Sequence, residues 1–209
     1  MSSASSWYSS GSYCSAGARR KSFSSRRRRA LSRRQPSIIR RVATLISHPI
    51  GCSGAFLATK VWTRGRDAGI AQMRESLRRF GVAGVDLMQV HNLVDTAVHW
   101  PVLQEWKAQG RVRYLGLSHY TLTAYAELEA QLRRFRPDFV QVDYSVDARV
   151  SGERLLPLAA DLGIAVIANR PLGEGALVRS LRDRPLPGVA AELGCGSWAQ
   201  LLLKFVLAH

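Results

Sequence analysis

Five short apolar runs, each followed by a stretch of helical periodicity, recur from residue 56 onward, and this alternation limits the fold more than any other feature of the chain. FLATKVW, DLMQVHN, RYLGLSH, FVQVDYS and IAVIANR start near residues 56, 86, 113, 139 and 164. Between and after them lie IAQMRESLRRFG, with Ile70, Met73, Leu77 and Phe80 on one helical face, then WPVLQEWKAQG, TLTAYAELEAQLRRF, RLLPLAADLG and SWAQLLLKFVLAH. Pro101 suits a first helical turn, and Gly110 and Gly163 suit helix ends. Strands that alternate with helices at steps of about 25 to 30 residues must run parallel, because each helix is a crossover. The fold class is therefore α/β.

Two architectures use such units: an open doubly wound sheet, and the (β/α)8 barrel, whose length of about 250 residues gives about 31 per unit. An open dinucleotide-binding sheet is expected to show GxGxxG after its first strand. None is present, since GEG at 173–175 and GCG at 194–196 are too short. In a barrel, polar residues at strand ends share one mouth, and Lys60, His91, Ser118, Gln141 and Asn169 recur at those ends. The chain reads as an incomplete (β/α)8 TIM barrel of about five βα units, spanning residues 55–209.

The preceding segment, 1–54, is of a different character. Residues 1–66 hold 14 of the 30 Lys and Arg and none of the Asp or Glu, so 16 basic residues face all 15 acids beyond Arg66. Of the formal net charge of +15, 11 positive charges belong to the Ser- and Arg-rich leader 1–54, whereas 55–209 carries 19 basic against 15 acidic residues. This leader is expected to be poorly structured. It admits three readings: a targeting peptide of transit or twin-arginine type, a nucleic-acid-binding arm, or a stretch never selected to fold with the rest, as after a shifted frame or misplaced start. The last is favoured, because Pro36, Arg40 and Arg41 interrupt the would-be signal. Nucleic acid is not the expected partner, because RRRR at 26–29 lacks interleaved aromatics.

Cys14, Cys52 and Cys195 form no metal-ligand or disulfide spacing, and no run approaches the roughly 18 apolar residues of a membrane span. No metal is expected, and a cytoplasmic location is.

Taken singly, each polar strand-end residue has a plain structural explanation: a hydrogen-bonded histidine, a lysine reaching solvent, a serine satisfying loop amides. Their coincidence at equivalent places weakens those explanations together. ATKVW, DLMQVHN, LGLSHY, QVDYS and RPLGEGAL resemble the aldo-keto reductase family in order and spacing, over roughly residues 55–209.

That resemblance implies reduction of aldehyde or ketone carbonyls with NADP(H). Lys60 and His91 match the family's catalytic lysine and histidine. Ser118, His119 and Gln141 match the positions that hold the nicotinamide carboxamide, with His119 departing from the usual Asn. Asn169 stands where many members place a stacking Tyr, and Pro171, Leu172 and Gly173 belong to the cofactor loop. Trp62 and Asn92 are expected to line the substrate pocket.

In the family, a tyrosine donates the proton, and a lysine held by an aspartate lowers the phenol's pKa of about 10. Lys60 reads as that lysine. The DxxxxYG motif supplying tyrosine and aspartate is absent: Asp67 is the first acid, and the only earlier tyrosines are Tyr8 and Tyr13. An eighth strand and the family's basic phosphate-gripping segment are not recognisable either. Impaired activity and marginal stability are expected for such a chain. The alternatives are a non-catalytic nicotinamide-binding protein, as in potassium-channel β subunits, and a Schiff-base aldolase barrel built on Lys60.

Overall fold

Alternating side chains give each strand two faces, and the computed structural model, which describes residues 55–208, uses them differently. The elements run β1 (Ala58–Val61), α1 (Arg66–Phe80), β2 (Val85–His91), α2 (Thr96–Ala108), β3 (Val112–Ser118), a 3-10 turn (Leu122–Ala124), α3 (Tyr125–Phe135), β4 (Phe139–Asp143), α4 (Val150–Leu162) and β5 (Ala165–Asn169). A second 3-10 turn (Gly173–Gly175), α5 (Ala176–Ser180), α6 (Gly188–Glu192) and α7 (Trp198–Leu207) follow. The strands form one parallel sheet in sequence order, β1-β2-β3-β4-β5. The separate basic segment read at 1–54, with its targeting and frame-shift explanations, lies outside the described residues.

One face of the sheet carries Val61, Met88, Val90, Leu115, Leu117, Val140 and Val142, which are buried with Met73 and Leu77 of α1, Leu103 and Trp106 of α2, Leu128 and Leu132 of α3 and Leu155 of α4. This is the helix-facing core. The other face is aromatic at its base, where Phe56, Tyr114 and Phe139 have ring centroids 5.5–6.3 Å apart. Above them it turns polar. Gly116 keeps this face open, because a Cβ there would stand 2.8 Å from Gln89 Cγ and 3.2 Å from the Phe139 carbonyl.

Helix boundaries depart from the sequence pattern at α2. Pro101 does not open this helix; it lies inside Thr96–Ala108. The chain enters through left-handed residues Asn92, Leu93 and Asp95, and the Asp95 carbonyl accepts from Val98 and His99. Burial of Trp100, Val102, Leu103 and Trp106 offsets the hydrogen bond that an internal proline forfeits. Alternation also gave no sign of α5 and α6, which are too short to show a period. Among the described residues no helix is long and apolar enough to cross a membrane.

The same clasp joins two pairs of strands near their amino ends. Asp86 donates its amide to the Leu57 carbonyl, and its Oδ2 accepts the Leu57 amide at 2.9 Å. Asp138 does likewise with Leu115, its Oδ2 lying 2.8 Å from that amide. Asp86 is fully buried, with the Arg113 guanidinium 3.9 Å away, whereas Asp138 is partly exposed and paired with Lys107. Removing the Asp86 carboxylate strands a buried amide, a loss of about 1–3 kcal/mol. Asp86→Ala is therefore expected to lower the urea midpoint clearly more than Asp138→Ala; equal midpoints would show that the buried clasp carries no special weight.

Candidate active site

Register decides which strand-end residues meet. His91 pairs with Ser118, and Ser118 with Gln141, so these three lie in one row across the sheet. Lys60 pairs with Gln89, one dyad below His91, and Asn169 pairs with Asp143, one dyad above Gln141. The five polar residues expected at equivalent places therefore share one face but step through three levels. Such stagger is what a tilted, barrel-forming sheet requires.

Within the row the polar groups are joined. His91 Nδ1 lies 2.8 Å from Ser118 Oγ. The Gln141 amide nitrogen donates to Asn169 Oδ1, which leaves the Gln141 oxygen as an acceptor. Trp62 stands edge-on to the His91 ring with centroids 5.4 Å apart, and it is 60% exposed. Asn92 follows His91 with φ 53° and donates its amide to the Ser118 carbonyl at 2.7 Å, while its Oδ1 is buried without a hydrogen-bond partner. Two residues placed in the substrate pocket by sequence, Trp62 and Asn92, thus flank the histidine.

Both histidines are held below the ordinary imidazole pKa. For His91 the cause is burial first, then the Lys60 ammonium, then His119. For His119 it is burial, partly opposed by Glu127. At neutral pH both rings are uncharged. His119 has a settled tautomer as well: its Nδ1 accepts the Tyr120 amide at 3.0 Å and the Thr121 amide at 3.2 Å, so its proton sits on Nε2. A neutral ring that spends one nitrogen on the backbone has one donor left. His119, whose own amide donates to the Gln141 carbonyl at 3.1 Å beside the row, offers a donor, and Gln141 within the row offers an acceptor, the complement of a primary carboxamide.

The loop after β5 lies beside Asn169. Pro171 and Leu172 are half-buried, and the Gly173 amide donates to the Arg170 carbonyl at 2.8 Å. A cavity of about 210 Å3 opens here, lined among others by Asp143, Asp147, Arg170, Gly173 and Glu174. Its charge is mostly negative. Burial pushes the Asp143 carboxyl up; Arg170, 3.5 Å away, and Asn169 pull it down, while Glu174 adds to the rise. Arg170 also lies over the Tyr120 ring at 4.8 Å. Sequence reading did not single out Asp143, Arg170 or Tyr120, although alternation from Gln141 places Asp143 on the same face.

A family profile described as the aldo/keto reductase family matches residues 53–209. The chain belongs to that family. An aldo-keto reductase of Mycolicibacterium smegmatis is 32% identical over 162 residues, covering 72% of this chain and 54% of the relative. The NADH-specific methylglyoxal reductase of Escherichia coli is 29% identical over 125 residues, covering 57% of this chain and 37% of the relative. The solved Klebsiella pneumoniae aldo/keto reductase in complex with NADP and acetate superposes with a TM-score of 0.62 at 25% identity, covering 75% of this chain and 57% of that one. This chain thus spans about half the length of such relatives, or less. Its parallel five-stranded sheet with alternating helices is the partial reductase barrel that the sequence predicts.

The lowered histidine pKa values make stability depend on pH. A folded-state value below the unfolded value of about 6.5 means that the unfolded chain binds more protons, so stability is full above that value and is lost as pH falls through the folded pKa. The melting temperature is expected to fall between pH 7 and pH 5, and less steeply in His91→Gln/His119→Asn. A variant with the parent's slope would show that other groups govern this window.

Proposed function

We propose that this chain carries the histidine, the lysine and the carboxamide-holding residues of a nicotinamide-dependent carbonyl reductase, with small aldehydes or ketones as substrates. The observation that carries the reading is the donor at His119 and the acceptor at Gln141: Gln141 lies in one row with His91 and Ser118, one level above Lys60, and His119 directly follows Ser118 and donates its own amide to the Gln141 carbonyl at 3.1 Å. A nicotinamide dinucleotide supplies hydride to the carbonyl carbon when bound. His119 Nε2–H holds the carboxamide oxygen, the Gln141 oxygen takes its NH2, and Ser118 ties this group to His91. Asn169 steadies Gln141, and Pro171, Leu172 and Gly173 form the adjoining wall.

At the oxygen side, a neutral His91, joined through Nδ1 to Ser118 Oγ and taken in the tautomer with its proton on Nε2, orients the carbonyl. The Lys60 ammonium favours negative charge developing on that oxygen. Trp62 closes the pocket by its indole, and Asn92 offers its unsatisfied Oδ1. NADP(H) is the cofactor we assign, as in the Klebsiella complex, although the Escherichia coli relative is NADH-specific.

The sequence holds no DxxxxYG segment, so the chain as given lacks the family's phenol as proton donor. A missing general acid lowers turnover by about two to four orders of magnitude. That absence favours a second reading, nicotinamide binding without turnover. Calorimetric titration with NADP+ and with nicotinamide mononucleotide tests the shared core of both. Both ligands are expected to saturate the chain, and Gln141→Leu to weaken each by about tenfold, one charge-free hydrogen bond plus an unpaired amide. Absence of binding by either, or unchanged affinity in Gln141→Leu, would contradict the assignment. NADPH-dependent turnover of a simple aldehyde at rates typical of enzymes, about 1–1,000 per second, would contradict the impaired reading alone.

A further inference from the structure

A second cleft, of about 400 Å3, opens between the 178–186 segment and the amino end of α7. Its lining has a mixed character. Arg179, Arg182 and Arg184 give it three guanidinium groups, Val178 and Leu186 give it an apolar wall, and Trp198 forms part of its floor. None of the three arginines is paired with a carboxylate among the described residues, and Asp183 is the single acid within 178–186. Some arginines elsewhere in the fold are paired, Arg78 and Arg79 with Glu75 and Arg154 with Glu129, whereas others such as Arg133 and Arg134 have no carboxylate partner among the described residues; what sets Arg179, Arg182 and Arg184 apart is that they line one cleft. Three like charges gathered around one concavity without a counter-ion repel one another, and a bound anion relieves that repulsion.

The cleft is built rather than incidental. Trp198 Nε1 donates to the Arg184 carbonyl at 2.9 Å, which pins the arginine segment to α7. The Arg179 guanidinium passes close over Gly175, where an added Cβ would stand 2.9 Å from its Nη1. At the helix end, Ser197 Oγ accepts the Gln200 amide at 3.3 Å, and Gln200 Oε1 accepts the Gly196 amide at 2.6 Å. The cleft's volume lies within the range of small-molecule sites, about 300–1,000 Å3, and exceeds what a bare ion fills. Its charge is opposite to that of the acid-lined cavity beside Gly173, where a phosphate would meet Asp143, Asp147 and Glu174.

We infer that this cleft binds a phosphorylated small molecule, with the phosphate on Arg179, Arg182 and Arg184 and the rest of the ligand against Val178 and Leu186. Guanidinium groups hold phosphate through paired N–H donors as well as charge. The phosphate has two possible sources: the adenosine end of the dinucleotide, or a separate phosphomonoester. The inference stands apart from the carboxamide assignment, because neither His119 nor Gln141 takes part.

Titration calorimetry of the full chain with adenosine 2′,5′-bisphosphate and with inorganic phosphate tests it. Saturable binding of at least one probe is expected, weakened about tenfold or more in Arg182→Ala/Arg184→Ala and unchanged in the control Arg133→Ala/Arg134→Ala on the exposed side of α3. If the first variant does not keep the parent's circular dichroism, Arg182→Gln and Arg184→Gln, taken singly, are held to the same criterion. Tighter binding of the bisphosphate, displaced by NADP+ but not by NAD+, makes the dinucleotide the source. Equal binding of both probes without displacement makes it a separate phosphate. Saturation by neither probe, or equal losses in the cleft and control variants, overturns the inference whatever the outcome at Gln141.

Discussion

Parallel pairing in register is the constraint on which the site depends. Because residues opposite one another in adjacent parallel strands point to the same side, fixing His91 against Ser118 and Ser118 against Gln141 brings residues far apart in sequence into one row. A slip of one residue in any of these pairs would send its polar group into the Val90, Leu117 and Val140 face, among helix side chains. Burial of that apolar face therefore specifies the polar face as firmly as itself. The Asp86 and Asp138 clasps act at the opposite end of the strands, each tying an aspartate to the amide of the preceding strand.

Charge is then distributed unevenly over the polar face. The Lys60 ammonium sits a level below His91 and helps to keep that ring neutral. Burial is the first cause of the lowered pKa in both rings, in His119 without help from a neighbouring ammonium, and the His119 tautomer is set by two backbone amides. A neutral ring of defined tautomer presents one donor and one acceptor at fixed places, as a side-chain amide does. The segment that follows β5 lines two cavities of opposite sign, an acidic one with Gly173 and Glu174 and a basic one with Arg179, Arg182 and Arg184.

Much of this was legible in the residues. Five apolar runs at even spacing, with Lys60, His91, Ser118, Gln141 and Asn169 at their ends, gave the strand set and its shared polar face. Stagger was not legible, because strand tilt follows from three-dimensional pairing rather than from any one strand; hence Asn169 lies a level above Gln141 yet still bonds it. The α2 start was misplaced because Pro101 is a strong local signal that buried Trp100 and Trp106 override. Alternation reaches Asp143 but not Arg170, which follows the end of β5, and the pairing of Trp198 with the Arg184 carbonyl has no sequence signature at all.

The central claim is that the row and the residue directly after Ser118 supply two neutral imidazoles, His91 and His119, the latter committed to donating through Nε2. A long-range proton–nitrogen correlation spectrum of the histidine rings at pH 7 measures this directly. It is predicted to show His91 and His119 uncharged, with the His119 proton on Nε2, and a shift of that Nε2 signal on addition of oxidised nicotinamide mononucleotide. A doubly protonated His119, a proton on its Nδ1, or an Nε2 signal indifferent to the nucleotide would contradict it.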